Sequence, residues 1–197
     1  MYYEYQETLI EKLKMTQYTT GDNQVLGFEA GMDCLASMFL NIKSSKNSVF
    51  FIGNGGSSAI ASHMTADFMK NGGIRTISLY NSAVTTCLGN DYGYGYVFSK
   101  QLEYLTQEGD LLVAISSSGN SENIINAAGT ATNLNASVVT FTGFSSDNRL
   151  RGMGNLNVYV PARHYGIVES VHNLILQQVV DIILERDGIP GQYMGEA

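Results

Sequence analysis

The sequence predicts an α/β protein, a three-layer α/β/α sandwich on a five-stranded parallel sheet. Five short apolar runs of strand length stand apart along the chain, and stretches of helical periodicity separate most of them. Such alternation implies parallel strands joined by right-handed crossovers, with helices on both faces of the sheet.

Two helices lead the chain. Residues 5–17 and 24–43 carry helical periodicity, the second with Val25, Phe28, Cys34, Leu35, Met38 and Phe39 on one broad apolar face. The run SVFFIG (48–53) is the first strand; it ends in Gly53, Asn54, Gly55, Gly56 and Ser57, and a helical pattern follows over 59–69. TISL (76–79), DLLVAIS (110–116), SVVTFT (137–142) and LNVYVP (156–161) are the other four strands, and a long last helix spans 168–185. No linker or shift of composition divides the chain. It reads as one domain, with N-terminal helices over 1–45, an α/β core over 46–187 and a loose tail over 188–197.

Composition narrows the partners. A net charge of −7 over 197 residues disfavours a surface that gathers nucleic acid or anionic membrane through Lys and Arg. Only 15% of residues are charged and 44% are hydrophobic, which favours an oligomer over a monomer. Cys34 and Cys87 have no disulfide or zinc-knuckle spacing, so a reducing, cytoplasmic setting is expected. The acidic N-terminus has no secretory core, and no run is expected to reach membrane-spanning length.

Function is expected at two strand ends. GNGGSS (53–58) approaches a dinucleotide fingerprint, but Ser58 replaces the last glycine, and the next strand ends in Tyr80 and Asn81 where an acidic residue would be needed for ribose. No Gly-Lys-Ser/Thr follows to serve a triphosphate, so no nucleotide cofactor is expected. A single small anion fits better. Asn54, Gly55, Gly56 and Ser57 offer backbone N–H groups and a hydroxyl from the first turn, while Ser116, Ser117, Ser118 and Ser121 crowd the end of the third strand. Serines at such turns are most often helix caps, but four within six residues beside a second Gly-rich turn favour a phosphomonoester site.

The segments GNGGSSAIASHMTADF (53–68), CLGNDYGYGYVFSKQLE (87–103), EGDLLVAISSSGNSENIINA (108–127), TGF (142–144) and ESVHNLILQQVVD (169–181) resemble the SIS (sugar isomerase) domain family, and within it the phosphoheptose isomerases. The resemblance implies a flavodoxin-like sheet, a homotetramer, phosphate held by Ser57 and the serine turn, and a sugar contact at Asp91. The family's His-x-x-x-Glu reads here as His63 and Asp67, one methylene shorter, and the i, i+4 spacing places both on one helix face. On the last helix the family's glutamine and, eight residues on, its acid–base histidine read as Glu169 and Gln177. An amide cannot titrate, so Gln177 is left as a substrate contact.

The expected activity is therefore aldose–ketose isomerisation of a sugar phosphate, such as sedoheptulose 7-phosphate, with Asp67 or Glu169 as the base. His63, Asp67 and Glu169 are the candidate zinc ligands. The alternative is a SIS-domain binding or scaffold protein, like the one associated with the bacterial replication initiator. Sequence leaves the direction of His172 open, and His164 reads as a loop residue.

Overall fold

A computed structural model describes residues 2–189. The elements run α1 (Tyr2–Lys14), β1 (Gln17–Thr20), β2 (Val25–Leu26), α2 (Phe28–Ser45), β3 (Val49–Ile52), α3 (Gly56–Lys70), β4 (Thr76–Ile77), α4 (Ser82–Tyr92), α5 (Ser99–Leu105), β5 (Leu111–Ser116), α6 (Glu122–Asn133), β6 (Ser137–Thr142), β7 (Leu156–Tyr159) and α7 (Tyr165–Arg186). Short 3₁₀ turns cover Tyr94–Tyr96 and Arg149–Gly152. Residues 190–197 of the expected tail lie outside the described residues.

The sheet has seven strands in the order β2-β1-β7-β6-β5-β3-β4, which corrects the expected five. The five expected strands, β3 to β7, are parallel to one another and take the flavodoxin-like order. The two extra strands come from the N-terminal segment: β1 lies antiparallel to β7, from Gln17 opposite Tyr159 to Thr20 opposite Leu156, and β2 folds back on β1. Helical periodicity concealed them. Val25 reads as the first apolar position of α2, but α2 starts only at Phe28, after Gly27 in extended conformation.

Both faces of the sheet are covered, as the near-continuous apolar strands require. Val49 and Phe51 of β3, with Leu111, Val113 and Ile115 of β5, point into a core closed by α2, α3 and α7. Phe50, Ile52, Leu112 and Ala114 point the other way, into a second core with α5 and α6. The crossover after β3 therefore covers one face and the crossover after β5 the other, so a crevice opens between their carboxyl ends.

At 22 residues α7 is long and apolar enough to cross a membrane by length and composition, contrary to the sequence expectation. Its apolar side is used in the core. Val168, Val171, Ile175, Leu176, Val179 and Ile183 are buried against α2 and α3.

The extra strand β1 is held down by one side chain. Tyr18 is wholly buried, donates a hydrogen bond from Oη to Met32 Sδ at 3.2 Å, and lies so close to α2 that a Cβ on Gly31 would stand 2.2 Å from its ring. Helix propensity alone would make Gly31→Ala stabilising by about 1 kcal/mol. Overpacking a core costs about 1–3 kcal/mol, and a buried ring cannot retreat. Gly31→Ala is thus expected to lower stability in urea denaturation; an unchanged or higher midpoint would show that β1 does not pack on α2 as described.

Candidate functional site

The crevice between β3 and β5 is a cleft of about 400 Å³ lined by Asn54, Gly55, Gly56, Ser57, Ile115, Ser116, Ser117, Ser118, Ser121, Tyr165 and Glu169. Both turns expected to hold an anion are in it. No lysine or arginine is, so charge on a ligand must be met by N–H and O–H donors and by helix starts.

The first turn is shaped by glycine. Gly55 has φ +54, the left-handed region that favours a residue without Cβ, and it caps α3 without a side chain. At Gly56 a Cβ would stand 2.2 Å from Glu169 Oε2, so only glycine lets the carboxylate of α7 rest on the start of α3. Gly53 is clamped by Tyr80, whose Oη accepts from Gly53 N–H at 2.7 Å and donates to Gly53 O at 2.9 Å.

The second turn carries the hydroxyls. Ser116 Oγ lies 3.3 Å from Ser121 Oγ and accepts from Gly119 N–H at 3.2 Å. Ser121 occupies the N-cap of α6, yet its side chain caps nothing. Ser117 Oγ is buried and has no hydrogen-bond partner. A buried hydroxyl left unmatched is costly, and a phosphate oxygen would satisfy it. The capping explanation for the serines therefore fails at Ser121.

An amide pair joins the two turns. Asn54 Nδ2 donates to Asn123 Oδ1 and Asn123 Nδ2 donates back to Asn54 Oδ1, both at 2.9 Å, while Tyr94 Oη also donates to Asn54 Oδ1 at 2.9 Å. The sequence assigned no site role to Tyr80, Tyr94, Asn123 or Tyr165. The signal for Tyr165 was its position four residues before Glu169, but the last helix was expected from residue 168, and it starts at Tyr165.

Glu169 is the one carboxylate in the lining. Burial pushes its carboxyl above the usual carboxylate range. The other expected catalytic residue, Asp67, is not in the cleft. It lies lower on the α3–α7 seam, where Gln177 Nε2 donates to Asp67 Oδ2 at 2.7 Å and His63 Nε2 stands 3.1 Å from the same oxygen. Gln177, expected to touch substrate, is thus committed to Asp67 and is likewise absent from the lining. Asp91 is also elsewhere: it sits exposed near the end of α4, a helix with no buried residue, beside Cys87 and Asn90.

The expected zinc set does not assemble. His63 and Asp67 meet, but Glu169 rests two turns away on Gly56, and among the described residues no three His, Cys, Asp or Glu side chains gather to hold a metal. His172 faces the interior: it is wholly buried, with Nε2 3.1 Å from Thr142 O, and burial lowers its pKa to about 4 despite that contact. His164 caps the start of α7 outside the cleft, its ring edge-on to Tyr5.

Comparison with known proteins identifies the family. The SIS domain model matches residues 28–143. The phosphoheptose isomerase of Helicobacter hepaticus is 35% identical over 158 residues, covering 76% of this chain and 80% of that protein. That of Akkermansia muciniphila is 31% identical and covers 84% and 95%. The structure of the phosphoheptose isomerase from Neisseria gonorrhoeae superposes with a TM-score of 0.71 at 31% identity, over 78% of this chain and 85% of that one. A fold, a cleft and a sequence similarity that coincide over most of the chain place it in the SIS domain family, beside the phosphoheptose isomerases.

Proposed function

We propose that this chain is a phosphoheptose isomerase that interconverts sedoheptulose 7-phosphate and an aldose heptose 7-phosphate through an enediol. The buried, unpartnered hydroxyl of Ser117 in a cleft that also holds a carboxylate carries the assignment. One feature waits for an anion, and the other for a proton.

The terminal phosphate sits at the starts of α3 and α6, where Gly55, Gly56 and Ser57 supply backbone donors and Ser116, Ser117, Ser118 and Ser121 supply hydroxyls. The sugar then extends toward α7. Glu169 takes the proton from the carbon beside the carbonyl and returns it to the neighbouring carbon. A raised pKa makes it a stronger base once ionised, and its place on Gly56 keeps it in one position. Asp67, His63 and Gln177 brace the seam below.

The working form is a homotetramer in the cytoplasm. Supporting this, α1 and α4 bury no residue within the chain, Tyr92, Tyr94, Tyr96 and Tyr104 are exposed, and neither cysteine is paired. Light scattering at micromolar concentration should report four chains; a mass near the 21.4 kDa of one chain would contradict the assembly.

Ligand binding to the native state alone adds about 2.7 kcal/mol at a hundred times Kd, so sedoheptulose 7-phosphate should raise the thermal midpoint. In the Ser116→Ala, Ser118→Ala double variant the shift should vanish. An undiminished shift would remove the serine turn from the phosphate site.

Glu169→Gln should lower kcat on the order of 10²–10⁴-fold, because an isosteric amide cannot accept the proton. Since the carboxylate must be ionised to act and burial raises its pKa, activity in the wild type should fall with decreasing pH through an acid limb above the ordinary glutamate value of about 4.3. Full activity retained in Glu169→Gln would reassign the base.

A further inference from the structure

Isomerisation through an enediol moves two kinds of proton. One leaves and rejoins carbon, and Glu169 accounts for it. The other must reach the carbonyl oxygen as the enediol forms and leave the neighbouring hydroxyl as it collapses, and nothing assigned so far handles it. The histidines are out of reach or occupied: His172 is wholly buried on Thr142 O, His63 stands against Asp67, and His164 faces Tyr5 outside the cleft. Gln177 is an amide bound to Asp67.

Apart from Glu169 and the serine hydroxyls, the lining contains one side chain with an O–H proton to donate, the phenol of Tyr165. It stands one helical turn before Glu169, so both project from the same face of α7. A second, independent feature holds it there. Phe144 has φ +57, a backbone conformation rare for a bulky residue without a compensating role, and its ring meets that of Tyr165 edge-on at 4.8 Å. The strained turn is tied on both sides, because Phe144 N–H donates to Ala162 O at 2.8 Å and Tyr159 Oη donates to Phe144 O at 3.0 Å.

We propose that Tyr165 is the second catalytic residue of the cleft, its phenol carrying the oxygen-bound protons while Glu169 carries the carbon-bound one; this rests on the isomerase function above. The C–H bond beside the carbonyl breaks as Glu169 takes the proton. Its electron pair forms the C=C bond, and the carbonyl π pair moves to oxygen, which takes the phenol's proton. In the second half the other hydroxyl returns its proton to the phenolate and its O–H pair forms the new carbonyl. The C=C pair then takes the proton from Glu169, leaving both groups as they began.

The test compares wild type with Tyr165→Phe using sedoheptulose 7-phosphate as substrate and two binding probes. A six-carbon aldonohydroxamate 6-phosphate resembles the enediolate, whereas a heptitol 7-phosphate has no carbonyl to polarise. Tyr165→Phe should lower kcat by about 10²-fold or more and weaken the hydroxamate at least about tenfold, with heptitol phosphate affinity kept within about threefold. Equal loss of both probes would overturn the proposal and make the residue structural. So would kcat within about threefold of an active wild type, which leaves the isomerase function standing. A wild type that neither turns over the sugar nor prefers the hydroxamate would overturn both.

Discussion

Everything in this molecule that could bind or react depends on β3 and β5 lying side by side in parallel while their crossovers leave to opposite faces. The alternation along each strand enforces it. If Phe51 is to reach α2, α3 and α7, Phe50 and Ile52 must face α5 and α6, so each face needs its own helices. With α3 and α6 diverging from adjacent strand ends, two helix N-termini converge on one spot, and α7 brings a third from β7. Three helix starts at one crevice put positive dipole ends where the proposed anion would sit, in a chain of net charge −7 and with no cation in the lining.

Four of the five parallel strands were legible as short, mostly apolar runs buried on both faces, and the half-buried edge strand β4 was legible as part of the run TISL. The two that were missed, β1 and the edge strand β2, are short and weakly patterned: only Tyr18 of Gln17–Thr20 is buried, and neither residue of Val25–Leu26 is. The two turns that line the cleft were legible from their hydroxyl and glycine density, a feature confined to a few adjacent residues. The α7 side of the cleft was harder, because it depends on where helices start and which way they face. Starting α7 three residues late hid Tyr165, and spacing alone could not reveal that Asp67 and Glu169 occupy different levels of the α3–α7 seam.

That seam divides the work of α7. Its first turn presents Tyr165 and Glu169 to the cleft, while the remaining turns are core, with His172 kept neutral beneath Thr142 and Gln177 bound to Asp67. A long apolar helix is needed for this arrangement, since the reactive turn is only as steady as the packing below it. Glycine at position 56 completes the contact by removing the one atom that would push the carboxylate off α3.

The reciprocal amide pair between Asn54 and Asn123 has a thermodynamic corollary. Two loops free to breathe would have to be immobilised together whenever a ligand arrived, and that lost motion would be subtracted from every binding event. Here each amide donates one N–H to the other's oxygen, Asn123 is buried, and Tyr94 Oη donates a further hydrogen bond to Asn54 Oδ1. The distance between the loops is consequently set during folding, and association resembles a key entering a finished lock. Rigidity of this sort also discriminates: an anion too large for the gap cannot spread it without breaking two part-buried hydrogen bonds at once.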